Sequence, residues 1–153
     1  MVTANEVADF FIYSAHQAGE PLTNLKLQKL VYYAQAWYAA FNGKPLFDGR
    51  IEAWVHGPVC PEVYHRFKQN QWRAIEEAVD PPAGFEEDVN DHLEEVIQVY
   101  GEMTGWELER LTHQEEPWIE ARAGLAPDEA GTREIPVPAM EAYYRSRLVV
   151  DLE

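Results

Sequence analysis

Leu27-Gln28-Lys29-Leu30-Val31-Tyr32-Tyr33-Ala34-Gln35-Ala36-Trp37-Tyr38 is the stretch whose reading decides the fold. Leu27, Leu30, Val31, Ala34, Trp37, Tyr38 and Phe41 recur at helical spacing, which predicts a helix rather than a strand. Tyr32 and Tyr33 add apolar bulk in further directions. A helix apolar over so much of its circumference cannot lie on one surface, so it is expected to be central and packed by several neighbours. Its ends are also marked. Thr23 is a plausible N-cap with Leu22 and Leu27 placed as a hydrophobic staple, and Asn42-Gly43 stops the stripe.

Upstream, Thr3-Ala4-Asn5-Glu6 has the capping-box form, and Val7, Phe10, Phe11 and Ala18 continue a first helix until Gly19 and Pro21. Downstream, residues 44–59 carry Pro45, Asp48-Gly49, the alternating Ile51-Glu52-Ala53-Trp54-Val55 and Gly57-Pro58. They predict one short strand or extended crossover near residues 50–56. Pro61 suits the first turn of a third helix through about Lys68, and Arg73 to Phe85 reads as a loop. A fourth helix from about Glu86 to Tyr100 places Val89, Leu93, Val96 and Tyr100 on one side and acids on the other. Thr104-Gly105-Trp106-Glu107 is a second capping box, opening a helix that must end or bend near Pro117. A short turn at Trp118-Ile119 follows, then a last helix carrying Met140, Tyr143, Tyr144 and Leu148. The expected architecture is mainly α: a compact single domain of six or seven helices with one short extended segment.

The chain has 153 residues and one cysteine, Cys60. A chain of this length buries roughly two-thirds of its unfolded surface on folding, so it needs no metal or disulfide staple. A lone cysteine excludes a disulfide framework and a four-cysteine zinc site and suits a reducing cytoplasm. The N-terminus lacks a basic stretch followed by an apolar run, and no long apolar segment spans a bilayer. A cytoplasmic protein without membrane contact is expected. Charge is unevenly placed. Residues 1–73 hold seven basic and six acidic side chains, whereas residues 74–153 hold five basic and 21 acidic ones. Such a field disfavours direct nucleic-acid binding and would attract a basic partner. Its plainer role is to keep helix faces solvated.

Sites for chemistry are thin. Cys60 lies near His56 and His65 in sequence, but its flanking prolines form no nucleophile turn, and a small packed cysteine is the expectation. His16, His56, His65, His92 and His113 include no pair spaced to put two metal ligands on one helix face. No glycine-rich phosphate cradle occurs. Adjacent Glu115 and Glu116 point to different helix faces and make no acid/base pair. The reading is therefore no catalytic residue, no metal and no cofactor.

Aromatic and special residues concentrate instead in three blocks, Leu25–Gln35, Ile51–Val59 and Leu111–Trp118. Within them Leu27 to Gln35 fits L-x-K-L-x-Y-Y-x-Q, Glu52 to Val59 fits E-A-W-x-x-G-P-V, and Thr112 to Trp118 fits T-H-x-x-x-P-W, with Leu46-Phe47 between the first two. In that order they resemble the Panacea domain, the family of SocA-like antitoxins and phage-associated GepA-like proteins. The likeness makes residues 1–153 one Panacea-like domain. It implies a non-catalytic antitoxin that neutralises a cognate protein toxin by direct contact. The alternatives it leaves open are an adaptor delivering the toxin to the ClpXP protease, and a phage-associated helical regulatory protein with no toxin. Leu27, Leu30, Tyr32, Tyr33, Trp54, Gly57, Pro58, Pro117 and Trp118 are expected to serve the fold. Lys26, Lys29, Gln35 and His113, with Trp72, Tyr143 and Tyr144 as exposed aromatic anchors, are the candidates for contacting a partner.

Overall fold

The computed structural model describes the backbone of residues 1–152 and the side chains of residues 1–148. In chain order it contains α1 (Ala4–Gln17), α2 (Asn24–Asn42), β1 (Glu52–Trp54), β2 (Gly57–Val59), α3 (Pro61–Phe67), a 3-10 turn (Lys68–Asn70), α4 (Glu87–Tyr100), α5 (Gly105–Thr112), α6 (Glu116–Ala121) and α7 (Val137–Leu152). The fold is mainly helical, as the periodicity predicts. Both capping boxes form: Thr3 and Thr104 each accept from the amide three residues on, and Glu6 and Glu107 each reach back to the cap amide.

Fourteen of the 19 residues of α2 are buried, which leaves it almost no solvent face. The alanines Ala36, Ala39 and Ala40 keep this helix slim, and α7 packs along it more extensively than any other element. Gly43 closes it in the left-handed region at φ 70, a conformation that costs glycine nothing sterically. Against α2 lie α1, α4 and α5, with Phe11, Leu93 and Leu108 in the shared core. Each fully buried large apolar side chain of this kind contributes on the order of 2 kcal/mol.

The polar residues of α2 also turn inward. Gln35 Oε1 accepts from the amides of Leu46 (2.8 Å) and Phe47 (3.2 Å), and its Nε2 donates to Phe47 O (2.9 Å). Gln28 Oε1 accepts from Cys60 N (3.0 Å), while its Nε2 donates to Asn24 Oδ1 (2.9 Å). Asn24 Nδ2 donates in turn to Tyr64 O (3.2 Å). Residues 46–64 thus have backbone groups satisfied by amide side chains of one helix, where a loop buried alone would leave them orphaned.

One local expectation is refined. The extended element is a two-stranded antiparallel hairpin, not one strand, with Trp54 opposite Gly57 and Ala53 opposite Pro58. Gly57-Pro58 therefore belongs to a strand rather than to a turn. Pro58 is tolerated because it faces Ala53 in a pair whose polar groups point away from each other: Ala53 N donates to Arg133 O, and Pro58 O accepts from Lys29. Near Pro117 the helix ends as expected: α5 stops at Thr112, and Pro117 lies in the first turn of the short α6, where its missing amide is no loss.

Replacing Gln35 with Leu orphans two buried amides and one carbonyl, so it should cost about 3 kcal/mol. Thr104→Ala, which removes only a cap, should cost about 1 kcal/mol. Urea unfolding of both variants checks the ranking; a Gln35→Leu cost no larger than that of Thr104→Ala would contradict it.

Candidate binding site

The N-terminal turn of α2, the hairpin, α3 with its 3-10 turn and residues 130–132 enclose an open cleft of about 580 Å³. Its walls are largely apolar, with Leu25, Trp54, Val55, Val59, Tyr64 and Trp72 among the lining side chains. Trp54 and Tyr64 meet edge to face with ring centres 4.8 Å apart. Trp118 fixes the chain from behind by donating its indole N–H to Trp54 O (2.8 Å), and buried Arg122 donates to Ala53 O (3.1 Å). The hairpin is held on the α2 side by Gln28 and Lys29 and on the α6 side by Trp118 and Arg122.

Lys29 is fully buried, at 0% exposure, and donates to Pro58 O at 3.1 Å. Burial lowers its pKa to about 7, with the charge of Glu109 acting in the opposite direction. Gly57 makes room for it. A Cβ there would come within 2.6 Å of Lys29 Cε and 3.0 Å of Thr112 Oγ1, and its φ of 107 is a region that side-chain-bearing residues rarely adopt. The lysine of the first motif, the glycine and proline of the second and the threonine of the third thus meet at one point.

The neighbouring His113 stacks on Trp118 with centres 3.9 Å apart and planes 10° apart. Burial lowers its pKa, so near neutral pH it favours the uncharged ring. One turn further along α2, Glu115 accepts from Tyr33 Oη (2.7 Å) and Tyr144 Oη (2.8 Å), and the Tyr144 and Tyr32 hydroxyls lie 3.0 Å apart. Burial raises the Glu115 pKa, and the two phenols oppose that rise. Tyr33 also stacks on Tyr100, with centres 4.0 Å apart, and Trp37 donates to the Tyr100 hydroxyl.

These contacts redistribute the expected roles. Trp72 is the candidate anchor that stands free, 79% exposed on the rim of the cleft. Tyr144 is buried rather than an exposed anchor, because its hydroxyl is spent on Tyr32 and Glu115; Tyr143 is half-buried against it. Gln35 and Lys29 are buried too, and their polar groups hold backbone, so neither presents a surface to a partner as expected from sequence. Lys26 is half-buried and donates to Gly101 O (2.6 Å) at the end of α4, where a cation suits the helix dipole. Leu27, Leu30, Tyr32 and Tyr33 lie in the core, and Pro117 is buried. Sequence reasoning missed Asn24, Gln28, Tyr64 and Arg122. The first two carried a signal, being polar residues four apart on an otherwise apolar helix.

Cys60 is buried at the start of α3, and burial pushes its thiol up to about 11. That is the reverse of an activated nucleophile. Among the described residues, no three His, Cys, Asp or Glu side chains gather as a metal site, and no helix is long and apolar enough to cross a membrane.

Lys29 gives the stability a distinct pH dependence. The unfolded chain keeps a proton on this amine up to about pH 10, whereas the folded chain releases it near pH 7. Folding thus sheds a proton in that window, and stability from this group rises with pH. Between pH 7 and pH 9 the parent should gain about 2 kcal/mol relative to Lys29→Met. Urea unfolding at both pH values tests this, and parallel pH profiles would contradict it.

Comparison with known proteins places the chain in a family. The profile of the family described as "Antitoxin SocA-like, Panacea domain" matches residues 27–119, a span that includes the buried face of α2, the hairpin and the His113–Trp118 stack. A curated relative, "Antitoxin SocA" of Caulobacter vibrioides (strain NA1000 / CB15N), is 34% identical over 131 residues, covering 76% of this chain and 69% of the relative. No solved structure matches the chain significantly. The chain belongs to the SocA-like Panacea domain family.

Proposed function

We propose that this chain is an antitoxin that neutralises a protein toxin by binding it directly, as a stoichiometric partner and not as an enzyme. The observation that carries the reading is the 34% identity over 131 residues with a protein named for that role. The geometry supports it in a specific way. The polar side chains of the family motifs hold backbone or pack against one another, so they maintain a scaffold and leave binding to the surface around it.

Charge gives the toxin a character. On α4, Glu87, Asp88, Asp91, Glu94 and Glu95 are exposed, and so are Glu107 on α5 and Glu116 and Glu120 on α6. A basic toxin would be steered toward these acidic helices, raising its association rate more than its final affinity. The place of action is the cytoplasm.

Co-expression tests the reading. Each short reading frame neighbouring this one is expressed alone and with the chain, and growth and co-purification are followed. A toxic frame should be rescued and should form a complex; absence of both removes the antitoxin assignment. Repeating the rescue in a host lacking ClpXP separates mechanisms, since blocking survives there and delivery to the protease does not. Association of the purified pair should slow about tenfold or more between about 50 mM and 500 mM salt; an unchanged rate would contradict steering. Cys60→Ala should rescue as well as the parent.

A further inference from the structure

Lys29 is a base whose seat has little to offer a charge. Its side chain is fully buried and donates to Pro58 O at 3.1 Å, one acceptor for the three protons an ammonium carries. Glu109, the acid whose charge reaches it, is bonded to His56 instead, at 3.2 Å. A further base crowds the same place. The charge of His113 is opposed by those of Lys29 and His56, and its Nε2 is buried with no hydrogen-bond partner among the described residues. Three bases thus gather around one carboxylate where the hairpin meets α2 and α5. Lys68 of the 3-10 turn lines the cleft beyond them, and Glu115, just ahead of α6, is engaged by Tyr33 and Tyr144. Charging an amine in such a seat is costly unless the amine reaches water or a carboxylate.

The way out is short. Lys29, His56 and Glu109 all line the open cleft, and Gly57 and Pro58 lie against the amine. Gly57 leaves Lys29 Cε a passage that a Cβ, at 2.6 Å from it, would fill. The hairpin end is pinned on both sides of this point. Trp54 O accepts from the Trp118 indole at 2.8 Å, and Cys60 N donates to Gln28 at 3.0 Å. Between the pins, Pro58 is tied to α2 through Lys29 itself, while Val55 is half-buried and His56 is exposed. A short piece of hairpin is therefore held down by the group that gains most from leaving its seat once charged.

We propose that residues 55–58 form a proton-operated flap: when Lys29 takes up a proton, its ammonium turns past Gly57 toward the cleft and Glu109, and the flap lifts from α2 while Trp54 and Cys60 stay pinned. The sign follows from burial. The closed seat holds the amine neutral above about pH 7, whereas an amine in water keeps its proton up to about pH 10. Lifting therefore takes up a proton, so it grows easier as pH falls from about 10 to about 7 and then levels off. Because Val55 and His56 line the cleft, the shape of that face follows pH. The flap acts whichever partner the chain meets, so it stands apart from the antitoxin reading.

The test is native-state hydrogen exchange of the full chain at about pH 7 and about pH 8.5, corrected for intrinsic exchange rates and repeated in low urea. The amides of Trp54 and Gly57, paired at the hairpin end, should open about tenfold or more above their pH 8.5 level at pH 7. That opening should depend little on urea, while the Cys60 amide keeps the urea dependence of global unfolding. Lys29→Met should abolish the pH response of Trp54 and Gly57. Glu109→Gln should carry the levelling-off to lower pH, because the closed seat then holds a charged amine less well. Opening that does not change with pH, a response that survives Lys29→Met, or one with the full urea dependence of the α4 amides would overturn the proposal. The urea comparison is made within the parent chain, so it decides the matter even where a variant fails to fold.

Discussion

Three amide side chains on one helix, Asn24, Gln28 and Gln35, satisfy backbone groups of residues 46–64, the segment that carries the hairpin and the start of α3. Residues 46–64 run over the heavily buried α2, where an unpaired amide or carbonyl would cost about 1–3 kcal/mol. Gln35 alone answers three such groups. With that segment fixed, the hairpin has a floor to lie on, Pro58 has a donor in Lys29, and Trp118 and Arg122 have carbonyls to bond from the other side. The cleft, with its aromatic rim, is a consequence of this arrangement.

The buried ionisable groups follow the same logic. Lys29 and Glu115 lie one turn apart along the same face of the central helix, where Glu115 meets Tyr33, and each is stabilised by neighbouring polar atoms. Glu115 takes two phenol hydroxyls; Lys29 is shifted toward its neutral form and bonds a carbonyl. Removing one partner from such networks is costly because the other stays buried. These groups are better understood as holding a shape than as acting on a substrate, and Cys60, packed at a helix start, fits the same description.

Much of the fold was legible because its signals are local. Periodicity placed α2 and α4, Thr3 and Thr104 announced their capping boxes, and Gly43 marked a helix end. The second strand was not legible, since Gly-Pro reads as a turn until the carbonyl of Pro58 is seen to meet Lys29, a partner 29 residues away. The site was harder still. Lys29 and Gln35 look like exposed polar residues because sequence alone cannot tell a polar side chain facing solvent from one facing buried backbone. Tyr143 and Tyr144 are adjacent and similar, yet Tyr144 turns to Glu115 and is buried. Trp72 was named from sequence as a candidate exposed anchor, but the positive φ of Gln71 just before it was not foreseen.

The account depends on the 46–60 segment being latched to α2 as one cooperative unit, a claim that native-state hydrogen exchange reads directly. The amides of Leu46 and Cys60, which donate to Gln35 and Gln28, should exchange only through global unfolding, with the same opening free energy and denaturant dependence as the amides in the middle of α2. If they exchange through a local opening several kcal/mol below the global one, the side chains of α2 do not hold this segment and the scaffold described here is wrong.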